Sequence, residues 1–162
     1  MQDHPIPEEK RQRIVRAGME NFAKNGYKKT TMDEIVADAG ISKGLIFHYY
    51  GSKKKLFLQL YEFAYGFVYE RLVPHFDLGQ TDLFERIRQS EQVKLEVMRE
   101  YPYVLDFLRA ARQEENEELR AGMRRVSTQS LPHWSETFMK GIDTGKLRDG
   151  IELSRVLRII QW

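Results

Sequence analysis

Three observations predict an all-α protein. Leu, Glu, Arg and Lys are frequent while proline occurs only 5 times in 162 residues, a mix that favours helix. Apolar residues recur at helical spacing in segment after segment, with capping residues, glycine or proline between them. No segment shows the strict alternation of a half-buried strand, and no internal repeat or low-complexity tract is present. With 41% hydrophobic and 31% charged residues, the chain can bury the core of about one to one and a half domains.

The elements follow in order. Over residues 8–24, Ile14, Val15, Ala17, Met19, Phe22 and Ala23 fall mostly on one face, and Asn25-Gly26 supplies a left-handed stop. The stretch TTMDEIVADAG then offers Thr31 with Glu34 three residues later, a capping box, ahead of Ile35, Val36 and Ala39, and Gly40 ends this second helix. Ser42 caps a third helix over residues 43–49, about 10 Å long at ~1.5 Å per residue. Two short helices joined by Ala-Gly-Ile-Ser have the shape of a helix-turn-helix. Ser52 caps a fourth, long helix to about Val73, stopped by Pro74; its rings at Phe57, Tyr61, Phe63, Tyr65, Phe67 and Tyr69 cover more than one face, so it must be contacted from several sides.

Residues 82–100 and 103–112 form two further helices, separated where Tyr101 precedes Pro102. A long stretch over residues 115–142 carries Leu119, Met123, Val126, Trp134, Phe138 and Ile142 at helical spacing, with a kink expected at Pro132. A last helix opens with Asp149 and Glu152 as a capping box and runs into Trp162 without a glycine, proline or polar exit, so the chain reads as a piece of something longer, its C-terminal helices missing.

Several function classes lose support. No run reaches the ~18 apolar residues a membrane span needs, and the N-terminus lacks a hydrophobic signal segment; a cytoplasmic protein with no membrane partner is expected. The absence of cysteine excludes disulfides, thiolate zinc sites and cysteine nucleophiles. The histidines at 4, 48, 75 and 133 show no metal-binding spacing, and Ser135 lies two residues from His133, a separation that points the side chains apart on a helix. Glu114, Glu115, Glu117 and Glu118 read as a helix start favoured by its dipole. Neither an enzyme nor a resident cofactor or metal is expected.

The charge is unevenly distributed. Residues 1–57 hold eleven Lys and Arg against seven Asp and Glu, whereas residues 58–162 hold fifteen against seventeen. A basic front end places a polyanion partner there. Within it, GISKGLIFHYYGSKKKLF sets aromatic rings beside a lysine run. A glycine inside a helix costs ~1 kcal/mol relative to alanine, so Gly44 calls for close approach either to a neighbouring helix or to a phosphate backbone. Phe47 and Tyr50, three apart, send at least one ring to the core, which leaves His48 and Tyr49 exposed. Tyr49 carries a hydroxyl on a rigid arm suited to a phosphate or a base. Lys53, Lys54 and Lys55 open the fourth helix, where the dipole and the ammonium groups both attract anions. Base reading is assigned to Lys43, His48 and the Thr30-Thr31 pair, because short helices contact bases through their N-terminal residues.

The stretch TTMDEIVADAGISKGLIFHYYGSKKKLF resembles the DNA-binding signature of the tetracycline-repressor (TetR) family of bacterial transcriptional regulators. The likeness covers residues 10–60, including the Phe22–Gly26 approach and Gly40, Ser42, Lys43, Gly44, Phe47, Tyr49, Tyr50, Ser52, Lys53 and Leu56. One departure is Phe47, where the family often has tyrosine, so a hydroxyl contact is lost there. The resemblance places Tyr49 at a phosphate-contacting tyrosine and Lys53 at the lysine opening the fourth helix. It implies a helix-turn-helix domain over residues 1–52 and a helical ligand-binding and dimerisation domain over residues 53–162, incomplete at its C-terminus. The expected partners are double-stranded operator DNA, a second copy of the chain and a small-molecule inducer of apolar or aromatic character. The pocket candidates are Tyr65, Tyr69, Tyr103, Phe107, Met123, Trp134 and Phe138, with Asp106 as a possible partner for a cationic ligand. A short recognition helix reads few base pairs, so a ligand-released repressor would bind a palindromic operator as a dimer. The alternative is an all-α adaptor that binds protein partners through its aromatic fourth helix.

Overall fold

The computed structural model describes residues 6–75, 77, 79–130, 140–145, 147, 150–153 and 155–156. Seven α-helices and one short 3-10 helix account for most of them: α1 (Glu8–Lys29), α2 (Met32–Ala39), α3 (Lys43–Tyr50), α4 (Lys53–Leu72), the 3-10 turn Val73–His75, α5 (Leu83–Glu100), α6 (Val104–Arg112) and α7 (Glu117–Ser130). No strand occurs among the described residues. The all-α expectation therefore holds, and each of the first six helix starts lies within one residue or so of its predicted position.

The caps show why. The Thr31 hydroxyl accepts from the Glu34 backbone N–H while the Glu34 carboxylate accepts from the Thr31 backbone N–H, so the capping box of α2 is complete. Gly40 closes α2 at φ 60° and ψ 44°, a left-handed conformation costly for any residue with a Cβ. Ser42 and Ser52 cap α3 and α4 by accepting from Leu45 N–H and Lys55 N–H, and Asp82 caps α5. At Gly26 the backbone leaves helical geometry (φ 71°, ψ 170°), as the predicted stop requires, but a further turn carries α1 on to Lys29. The long stretch over 115–142 is overestimated: residues 140 and 141 lie in a turn and Ile142 is not helical, although it continues the apolar spacing. Pro132, where the kink is expected, and the Asp149 cap lie outside the described residues.

The core begins with the inner face of α1. Ile14, Met19 and Phe22 are at most 1% exposed and meet Ile35 of α2, Ile46 of α3 and Leu56 of α4, each fully buried. Asn21 ties α2 down, donating to Ala17 O and to the Asp38 carboxylate at 2.9 and 2.7 Å. The same core runs without interruption past residue 52: Phe57 of α4 stands edge-on to Phe22 at 5.0 Å and to Phe107 of α6 at 5.3 Å. Helix α4 buries Leu56, Leu60, Tyr61, Ala64, Phe67 and Leu72 around its circumference, against α1, α5, α6 and α7. Helix α7 lies close on α4 because a Cβ at Gly122 would come within 2.8 Å of both terminal methyls of Leu58. No described helix is long and apolar enough to cross a membrane.

Candidate nucleic-acid interface

Helices α2 and α3 leave α1 with their buried residues spaced for the core and everything else outward. On α3 only Ile46 and Tyr50 are buried, so the inward ring of the Phe47/Tyr50 pair is Tyr50, and burial pushes its phenol pKa up. Phe47 is 38% exposed. Ser42, Lys43, Gly44 and His48 are exposed with it, and Thr31 and Asp33 of the neighbouring α2 start are exposed as well. Tyr49 is half-buried rather than fully exposed, its ring packed edge-on to His48 at 5.0 Å. Nothing lies within 4 Å of where a Gly44 Cβ would be. Packing on a neighbouring helix therefore does not account for that glycine, and the bare backbone is open to whatever docks on α3.

Two predicted contact residues sit differently. Thr30 is fully buried; its hydroxyl donates toward Gly26 O and Asn21 O at 2.8 and 3.0 Å and presents no surface to a base. Of the Thr30-Thr31 pair, only Thr31 is exposed to a docking partner. Lys53 reaches back across α1: its ammonium donates to Tyr27 O and Thr30 O, both at 2.9 Å, and lies 4.4 Å from the centre of the Tyr27 ring. It satisfies carbonyls at the end of α1, where a cation is favoured, so two of its three N–H bonds are already committed.

The other cations divide by partner. Lys43 pairs with Asp33 at 2.7 Å across the α2–α3 turn. Lys54 pairs at 2.7 Å with Glu118 on the first turn of α7, and this hydrogen bond holds the Glu118 carboxyl below its ordinary pKa. Lys28, Lys29 and Lys55 are exposed around the same end of the molecule. Sequence reasoning missed Asp33 and Glu118. Their partners lie ten and sixty-four residues away in the chain, beyond any local periodicity; only the fold brings them together.

Among the described residues, the predicted ligand residues are spread over α4, α6 and α7. Tyr65 and Tyr69 lie half-buried on α4, with Tyr65 stacked on Tyr61 at 5.9 Å. Burial raises both the Tyr61 and Tyr65 phenols. Met123 is buried on α7, the helix packed on α4. Phe107 is completely buried among Phe22 and Phe57 and belongs to the core. Tyr103 faces α1, with the Lys24 ammonium 5.0 Å from its ring centre. Asp106 is bound to Arg109 at 2.7 Å in a partly exposed pair one turn apart on α6. Trp134 and Phe138 lie outside the described residues. A groove of about 380 Å³ runs along α5, between His75 and residues from Gln89 to Arg99, and none of the described ligand candidates lines it. Among the described residues no group of acidic, histidine or cysteine side chains could hold a metal ion.

Comparison with known proteins places this geometry. Residues 14–60 match the family described as "Bacterial regulatory proteins, tetR family", a span running from the inner face of α1 through α2 and α3 into α4. An uncharacterised HTH-type transcriptional regulator, YerO of Bacillus subtilis (strain 168), is 40% identical over 58 residues, 36% of this chain and 20% of that protein. The fatty acid metabolism regulator protein of the same organism is 22% identical over 153 residues, covering 91% of this chain and 75% of its own length. Among solved structures, a TetR-like transcriptional regulator from Rhodococcus sp. RHA1 superposes with a TM-score of 0.57 at 27% identity, over 74% of this chain and 64% of that one. The chain thus spans a fifth of the first relative and under two thirds of the solved neighbour.

Proposed function

We propose that the chain, whose residues 14–60 match the tetR family of bacterial regulatory proteins, binds operator DNA as a homodimer and is released by a small molecule. The observation that supports this reading most is the outward face of α3: Ser42, Lys43, Gly44, Phe47 and His48 are all exposed on a helix whose Ile46 and Tyr50 anchor it in the core. In this reading α3 enters the major groove, Lys43, His48 and Thr31 approach base edges, and Tyr49, Lys54 and Lys55 flank the phosphates. Lys53 acts mainly by fixing the end of α1 under α4.

Residues 1–52 then form the DNA-binding part and residues 53–162 the ligand-binding and dimerisation part, joined through α4. Twenty residues long, α4 extends ~30 Å, from the lysines beside α3 to Tyr65 and Tyr69. A ligand packing against its far half, between α4 and α7, would tilt one rod that touches both sites. A preference of ~1–3 kcal/mol for the tilted state would weaken operator binding about 5- to 150-fold, with reciprocal weakening of ligand binding by DNA. The rings of that region favour an apolar or aromatic ligand, in keeping with the fatty-acid role that the name of the second Bacillus subtilis relative carries. A regulator of this kind works in the cytoplasm.

Fluorescence anisotropy with a labelled duplex of arbitrary sequence tests the reading. Affinity should fall steeply between 50 and 200 mM salt as counterions compete for the phosphates. An affinity independent of salt, or none at all, would instead favour an adaptor with an apolar binding face.

A further inference from the structure

We infer that Asp33 is a specificity-determining residue of the DNA-binding face, acting with Lys43 as a paired acceptor and donor that fits a guanine–cytosine base pair and discourages contact with phosphate. The inference rests on the DNA-binding reading above and adds to it which side chains discriminate and what they prefer. Asp33 stands in the first turn of α2 and Lys43 at the start of α3. Their charged ends meet at 2.7 and 3.0 Å while both side chains stay mostly in solvent, 60% exposed for the lysine and 68% for the aspartate.

An exposed pair of this kind adds little to stability, because water solvates the separated ions nearly as well. Its effect on a docking polyanion is larger. A lone lysine at the head of α3 would be satisfied by any phosphate, since an ammonium is a compact charge without geometric preference. With Asp33 beside it the lysine is largely neutralised, and a phosphate approaching it meets a carboxylate that can only accept. Contact with backbone is thereby penalised on every sequence alike.

A base pair can satisfy both members at once if it offers an acceptor next to an amino donor. In the major groove a G·C pair does so: guanine O6 and N7 accept from an ammonium, and the cytosine N4 amine donates to a carboxylate. The pair then keeps its internal ion pair and gains two hydrogen bonds. Asp33 also limits where the Lys43 ammonium can sit, which narrows the register of α3 on the DNA.

The test is parallel selection from random duplex DNA by the full chain, as wild type, Asp33→Asn, Asp33→Glu and Lys43→Ala, with affinities then measured on the wild-type motif and on an unrelated duplex. The inference expects a G·C position in the wild-type motif that loses its preference in both Asp33→Asn and Lys43→Ala. It also expects Asp33→Asn to bind unrelated DNA about 3- to 10-fold more tightly, Lys43→Ala not to, and Asp33→Glu to restore part of the discrimination. Thermal unfolding of each variant checks that the fold is retained. An Asp33→Asn protein with the wild-type motif and an unchanged ratio of specific to unrelated binding overturns the role of Asp33 while leaving the DNA-binding reading intact. A wild-type protein that enriches no sequence overturns both.

Discussion

Lys53 and Lys55 stand two residues apart at the start of α4 and do different work. Lys53 donates to two carbonyls at the end of α1, and a hydrogen bond to a charged group contributes about 1.5–3 kcal/mol net. Lys53→Ala should therefore lower the free energy of unfolding by about 1–3 kcal/mol in urea titration, besides weakening DNA binding. Lys55 is exposed; Lys55→Ala should leave stability unchanged and reduce the slope of log affinity against log salt by about one. Phe107 is a second case in which burial decides. Enclosed completely between Phe22 and Phe57, it should cost about 3–5 kcal/mol when changed to alanine, as calorimetric or chemical unfolding would show, so its loss would report on the core and not on a ligand. These distinctions were not legible beforehand. Thr30 and Thr31 are neighbours of one type, and only the turn after Gly26 decides that one hydroxyl is buried and the other caps α2.

Helix boundaries, by contrast, were legible wherever a side chain ends or begins the hydrogen-bond ladder. Thr31, Ser42 and Ser52 all cap the helices expected of them, because an N-cap is a local contact between residues two or three apart. Thr31→Ala removes the hydroxyl that accepts from Glu34 N–H and should destabilise the protein by about 1 kcal/mol, with hydrogen exchange accelerated first in α2. The far end of α7 was misjudged for the opposite reason: apolar spacing continues to Ile142, yet periodicity alone does not say that a chain stays helical through residues 140–142. Pairs between elements were likewise hidden. Lys54 and Glu118 join the first turns of α4 and α7, so a carboxylate on the proposed ligand side competes with DNA phosphate for this lysine. Glu118→Gln should strengthen DNA binding by a few-fold in low salt, measured by anisotropy, and Lys54→Ala should abolish that gain. The Glu118 carboxyl titrates below its ordinary value; the bridge is therefore intact at neutral pH and is lost only as pH falls through that lowered pKa.

At the scale of the whole molecule, one aromatic core joins what the DNA-binding face and the helical body each require. Phe22 of α1, Phe57 of α4 and Phe107 of α6 form a continuous ring cluster, so α3 is carried on a rigid base and a tilt of α4 would be passed through that cluster to it. That rigidity suits the proposed dimeric reader, since an eight-residue helix spans only a few base pairs and useful specificity needs a second half-site. The account stands or falls on whether this face reads DNA. Sequencing the duplexes that the purified protein selects from a random pool tests it most directly. The predicted result is one enriched palindrome with half-sites about 34–36 Å apart, or a multiple of that repeat, and its loss when Lys43 and His48 are both changed to alanine. Recovery of a random pool at every salt concentration, or an enriched sequence that the double variant binds as tightly as wild type, would contradict it.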